Sequence, residues 1–104
     1  MQRSPTEIIA LLRRHRDELE RAGAIHIALF GSMARGDASS QSDIDLAIAF
    51  PEGAPLEGYR YLEKREALLK RLTELLGGDV DISDEDMMRP GVKSEFEREN
   101  IRAY

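Results

Sequence analysis

The stretch from Asp43 to Phe50 alternates strictly. Ile44, Leu46, Ile48 and Phe50 fall on one side, and Asp43, Asp45, Ala47 and Ala49 on the other. A period of two marks a β-strand with two unlike faces. Ile25 to Phe30 is mostly apolar and predicts a second, largely buried strand. Elsewhere the spacing is helical. Ile8, Leu11, Leu12, His15 and Leu19 recur on one face after Ser4-Pro5-Thr6-Glu7, which has the form of a capping box with proline in the first turn. Gly23 is the expected stop of that helix.

Pro51 to Gly58 holds two prolines and two glycines and predicts a loop. Tyr59 to Leu76 predicts a long helix, with Leu62, Leu69, Leu72 and Leu76 among its apolar positions and Gly77-Gly78 ending it. Val80-Asp81-Ile82 is a short strand. Ser83 or Asp84 caps a helical turn reaching Met88, and a final helix is expected from about Val92 towards Tyr104. The order is helix, strand, strand, helix, strand, helix. That is an α/β (α+β) arrangement, a small mixed sheet packed with helices.

Composition narrows the picture. With 104 residues, 41% hydrophobic and 34% charged, residues 1–104 are expected to form one domain with one core. Net charge is −5, which gives no basic footprint for nucleic acid. Cysteine is absent, which excludes disulfides and thiolate metal sites. No long apolar run marks a signal peptide or membrane span, so a cytoplasmic protein is the expectation.

The acids change the reading most. Asp43 and Asp45 share a strand face with Cα atoms about 6.5 Å apart, close enough to converge on one cation or bridge two. Alone, Asp-x-Asp is more often a solvated strand start. Asp81 alters that balance, because it stands between Val80 and Ile82, where an unpaired carboxylate is costly. If the helix from Tyr59 to Leu76 is a crossover, the strand at Val80 runs parallel to the one at Ile44. Asp81 then emerges beside Asp43 and Asp45. Asp79 shares its face but follows two glycines, so Asp81 is the preferred third acid. Oxygen ligands without cysteine favour a hard cation, Mg2+ or Mn2+, and two such ions suit displacement at phosphorus.

Gly31-Ser32 directly follows the first strand, and Met33-Ala34-Arg35 can open a short helix. Taken alone, that is an ordinary turn with a serine cap. With antiparallel strands it lies near Asp43 and Asp45, so phosphate donors and metal-binding acids share one cleft. Arg13-Arg14-His15-Arg16, His26, Met87-Met88, Tyr59 and Tyr61 read more simply as surface or packing residues.

Together, Gly31-Ser32-Met33-Ala34-Arg35-Gly36, Ser42-Asp43-Ile44-Asp45-Leu46 and Val80-Asp81-Ile82 resemble the nucleotidyltransferase superfamily with a DNA polymerase β-like palm. The subgroup they resemble is the minimal nucleotidyltransferase (MNT) domain. The resemblance implies a palm-like fold. It implies that Gly31 and Ser32 hold the triphosphate of ATP and that Asp43 and Asp45 bind Mg2+. Asp81 would ligate the catalytic ion and help deprotonate the acceptor hydroxyl. Arg35 would either brace the loop or approach a phosphate. Two Mg2+ ions are expected, with Mn2+ as a substitute.

The implied reaction moves AMP from ATP to a hydroxyl. Stand-alone MNT proteins are commonly paired with a helical HEPN ribonuclease toxin, which they neutralise by adding AMP to a tyrosine. The HEPN signature of arginine, histidine and tyrosine is absent here, so the chain corresponds to the MNT half, the antitoxin. Two other readings stand beside this one. One is a non-catalytic antitoxin that blocks the toxin by contact. The other is a small-molecule, aminoglycoside-like nucleotidyltransferase.

Overall fold

Ser4 caps the first helix as the sequence directs: its hydroxyl accepts the Glu7 amide at 3.2 Å, with Pro5 in the first turn. The computed structural model describes residues 4–36, 43–51 and 59–104. The expected loops at 37–42, which include Ser42, and at 52–58 lie outside the described residues, as does the side chain of Tyr59. Instead of one helix to Gly23 there are two, α1 (Pro5–Arg14) and α2 (Arg16–Arg21). His15 interrupts them at φ −101° and ψ 18°. The interruption leaves the buried stripe intact, since Ile8, Leu12 and Leu19 are all fully buried.

The chain continues through β1 (His26–Phe30), α3 (Ser32–Arg35), β2 (Ile44–Ala49), α4 (Tyr59–Leu76), β3 (Val80–Asp84), α5 (Pro90–Glu99) and β4 (Ile101–Arg102). Asp84 caps a 3-10 turn at Glu85–Met87 by accepting the Asp86 amide. The four strands form one sheet in the order β3-β2-β1-β4. β1 is antiparallel to β2, and β3 is parallel to β2. The parallel pair follows from the α4 crossover, since a strand reached through a helix on one face returns in the same direction.

The two sheet faces have different depths of cover. Ile27, Leu29, Ile44, Leu46, Ile48 and Ile82 meet Ile8, Leu12, Leu68, Leu72 and Leu76 from the helices in the main core. On the opposite face, Ala28 and Ala47 are small enough for α5 to lie close, and Phe96 packs there with Phe30 and Met88. The Phe30 and Phe96 rings meet edge to face at 5.8 Å. Truncating this anchor, Phe96→Ala, is expected to cost about 3–5 kcal/mol in urea unfolding. Met87→Ala, at an exposed position, is expected to stay within about 0.5 kcal/mol.

The C-terminus departs from the sequence expectation. The helix ends at Glu99, because Asn100 turns both its backbone amide (2.9 Å) and its carboxamide (2.7 Å) onto the Phe96 carbonyl. Ile101–Arg102 then joins β1 as an antiparallel edge strand. Ala103 continues the pairing by donating to the Ile27 carbonyl at 2.8 Å, and its own carbonyl accepts from Arg13 Nε at 2.7 Å. No described helix is long and apolar enough to cross a membrane.

Candidate active site

β1 and β2 run antiparallel, so the last residue of β1 lies beside the start of β2: Phe30 is paired with Asp45. Gly31 comes next, at φ 75°, and turns the chain into the single helical turn of α3. An L side chain rarely adopts that angle. A side chain there would also have to displace Asp45, since a Cβ on Gly31 would collide with Asp45 Oδ2 and lie 3.2 Å from Asp45 Cγ. Gly31 therefore lets the turn close directly against the Asp45 carboxylate. The turn is held by the Arg35 amide, which donates to the Gly31 carbonyl at 3.1 Å, and Ser32 is half-buried at its first helical position.

On its other side β2 is paired with β3, and the register sets Asp45 opposite Asp81. Neighbouring strands lie about 4.8 Å apart, so these two acids flank each other across the ladder. Asp43 stands two residues before Asp45, exposed, just ahead of β2. Asp79 is engaged through its backbone, accepting the Ile44 amide at 2.9 Å. The strand alternation thus brings Asp43, Asp45 and Asp81 to one end of the sheet, next to Gly31 and Ser32.

Charge at this end is unbalanced. Burial pushes the Asp45 carboxyl above its ordinary range, and the negative charges of Asp81 and Asp43 push it further, while Arg35 opposes the rise. Among the described residues, no three acidic or histidine side chains already surround one point ready for an ion. Like charges without a counter-ion lower their energy by turning apart. The donor set is nevertheless all carboxylate oxygen on neighbouring backbone positions, which suits a hard divalent cation.

Arg35 reaches α5, where its Nη1 lies 3.2 Å from Glu99 Oε2. Glu99 escaped the sequence reading, and so did the contact of Gly31 with Asp45. The other residues noted from sequence lie elsewhere. His26 is exposed at the opposite end of β1. Tyr61 packs on Phe50 at 5.5 Å and donates to Asp84 Oδ2 at 3.2 Å. Arg16 pairs with Glu20 and lies over the Tyr104 ring at 5.0 Å. The surface hollows lined by Asp17, Glu20 and Arg21, and by Ile25, His26 and Glu85, contain none of the clustered aspartates.

The chain is similar to known proteins over most of its length. The nucleotidyltransferase domain family matches residues 12–103. The protein adenylyltransferase MntA of Thermococcus cleftensis is 35% identical over 96 residues, covering 91% of each chain. A solved structure assigned as a minimal nucleotidyltransferase superposes with a TM-score of 0.67 at 37% identity, covering 89% of this chain and 93% of its own. A toxin–antitoxin structure with AMP-PNP shares the fold at 22% identity and a TM-score of 0.65, covering 88% of this chain and 72% of its own.

Proposed function

The chain belongs to the nucleotidyltransferase domain family, and from that premise we propose that it moves AMP from ATP to a tyrosine hydroxyl of a partner HEPN ribonuclease toxin, acting as its antitoxin. The observation that most supports this reading is the register. Asp45 lies between Phe30 and Asp81, with the Gly31 turn closed against its carboxylate. The relative named MntA is a protein adenylyltransferase, and a fold neighbour is a toxin–antitoxin complex holding an ATP analogue.

Each residue then has a task. The backbone and hydroxyl of Gly31-Ser32 receive the triphosphate. Asp43, Asp45 and Asp81 would hold Mg2+, one ion or two, which when bound would offset the triphosphate charge. The acceptor oxygen attacks the α-phosphorus, pyrophosphate leaves, and an Asp81 carboxylate oxygen takes the acceptor proton. Asp81 and Asp43 are exposed, and β3 is an edge strand. An open site of this kind suits an acceptor carried on another protein better than an enclosed small molecule.

Incubation with α-labelled ATP, Mg2+ and the product of the neighbouring gene tests the reading. Label on a tyrosine of that protein is the expected result. No label, with toxin neutralisation surviving Asp43→Asn plus Asp45→Asn, would favour an antitoxin that acts by contact alone. Label on an aminoglycoside instead would favour the small-molecule reading.

A further inference from the structure

At each edge of the described sheet, an arginine from a core helix ends on backbone carbonyl oxygen. Arg65 of α4 donates from Nη2 to the Ile82 carbonyl of β3 at 2.6 Å. Arg13 of α1 donates from Nε to the Ala103 carbonyl at 2.7 Å and from Nη2 to the Arg102 carbonyl of β4 at 3.4 Å. β3 and β4 are the outermost strands of that sheet. On β3 the register shows which way each backbone group turns. The Ile44 amide donates to the Asp79 carbonyl at 2.9 Å while Ile44 is paired with Val80, so Asp79, Asp81 and Ser83 turn their backbone groups towards β2. Val80, Ile82 and Asp84 turn theirs outward. Arg65 therefore holds the middle carbonyl of an outward row. Tyr61, one helical turn earlier on α4, bonds the Asp84 side chain at the end of the same row.

An outward row on an edge strand is a template for another strand, and charge placed on it is a common defence. This row is also complementary to itself. With a two-fold axis at Ile82, two antiparallel copies would set Val80 against Asp84 and Asp81 against Ser83. No carboxylate would face another directly across the pair. We propose that the β3 edge fits a second copy of this chain, and that Arg65 withholds it by occupying the Ile82 carbonyl and laying a charged group where the second strand would lie. Pairing there would bring a second chain against Asp81, so the guard keeps that carboxylate open to an acceptor. This consequence rests on the reading of Asp81 as the group that takes the acceptor proton. The guard itself does not.

Sedimentation equilibrium of the full chain, without nucleotide or metal, tests this, and amide hydrogen exchange locates any contact. The parent is expected to show no pairing through β3. Arg65→Met keeps an apolar stem and removes the donor and the charge. Its apparent mass is expected to rise roughly twofold with concentration, as a two-fold pair requires. Exchange at Val80 and Ile82 is expected to slow as it does. Arg65→Ala, which suits a helix, is expected to behave alike and gives the reading if methionine disturbs α4. Arg65→Lys keeps a charged donor and is expected to stay single. Lys64→Met makes the same change of charge at the exposed neighbouring position and is expected to stay single too. Folded Arg65→Met and Arg65→Ala proteins that stay single overturn the proposal. Pairing that leaves exchange on β3 unchanged, that Lys64→Met shows equally, or that the parent already makes through β3 overturns it as well. Each of these results leaves the nucleotidyltransferase reading standing, because the label-transfer experiment decides that separately.

Discussion

Asp45→Asn is expected to lower AMP transfer by roughly a hundredfold to a thousandfold, in the range for losing one strong electrostatic contact to a transition state. The same change is expected to make the metal-free protein more stable at neutral pH. Asp45 sits half-buried beside Asp81 and Asp43, and its carboxyl is raised for those reasons. In the unfolded chain it titrates near the ordinary value of about 3.9. Between that value and the raised one, the folded chain holds more protons than the unfolded chain. Stability therefore falls as pH rises through the window and is not regained above it. Asparagine carries no charge and removes the fall. Glu18, held low by its hydrogen bond from Arg71, has the opposite slope at acid pH. It acts equally in both proteins, so their difference isolates Asp45. Thermal melts in chelator across pH 4 to 8 measure it. A variant less stable than the parent at neutral pH would show that the Asp45 carboxylate contributes to the fold instead of straining it.

Gly31→Ala is expected to damage both fold and activity. A φ of 75° with ψ −154° lies in a region essentially confined to glycine and costs an L residue about 1–3 kcal/mol, and the new methyl would press on Asp45 Oδ2. A total of about 2–3 kcal/mol corresponds to a melting point lower by roughly 10 °C or more. Displacing Asp45 by even about 1 Å can cost roughly a hundredfold in rate. Gly91→Ala is the matched control. A Cβ there meets open space in the first turn of α5, so stability is expected to hold or to rise by about 0.5 kcal/mol. Equal losses from the two substitutions would mean that the Gly31 turn has no special relation to Asp45.

Much of the fold is legible because local chemistry and global packing agree. The Ser4 cap, the alternation of β2 and the Gly77-Gly78 stop appear where the sequence predicts them. On α4, Leu72 and Leu76 are buried as expected, but Leu62 is exposed and Leu68 takes the core place beside the half-buried Leu69. The parallel pairing of β3 followed from the crossover rule, and with it the meeting of Asp45 and Asp81. What escaped depends on distant partners. β4 has two residues, too few for any periodicity, and exists because β1 offers a free edge. The end of α5 at Asn100 depends on that residue's carboxamide turning back to Phe96, a local bond that apolar spacing does not reveal. Glu99 shares no motif with Arg35, and only the docking of α5 through Phe96 brings them together. The tight contact of Gly31 with Asp45 is likewise a product of strand register, although both residues stood out in the sequence for other reasons.

The most direct measurement is a crystal structure of the chain with Mn2+ and a non-hydrolysable ATP analogue. The expected result is anomalous Mn2+ signal between the carboxylates of Asp43 and Asp45, with the triphosphate against Gly31 and Ser32 and Asp81 turned towards the α-phosphate. Nucleotide bound elsewhere, or bound here while Asp43 and Asp45 face water without an ion, would contradict the assignment of this end of the sheet as a nucleotidyltransferase centre.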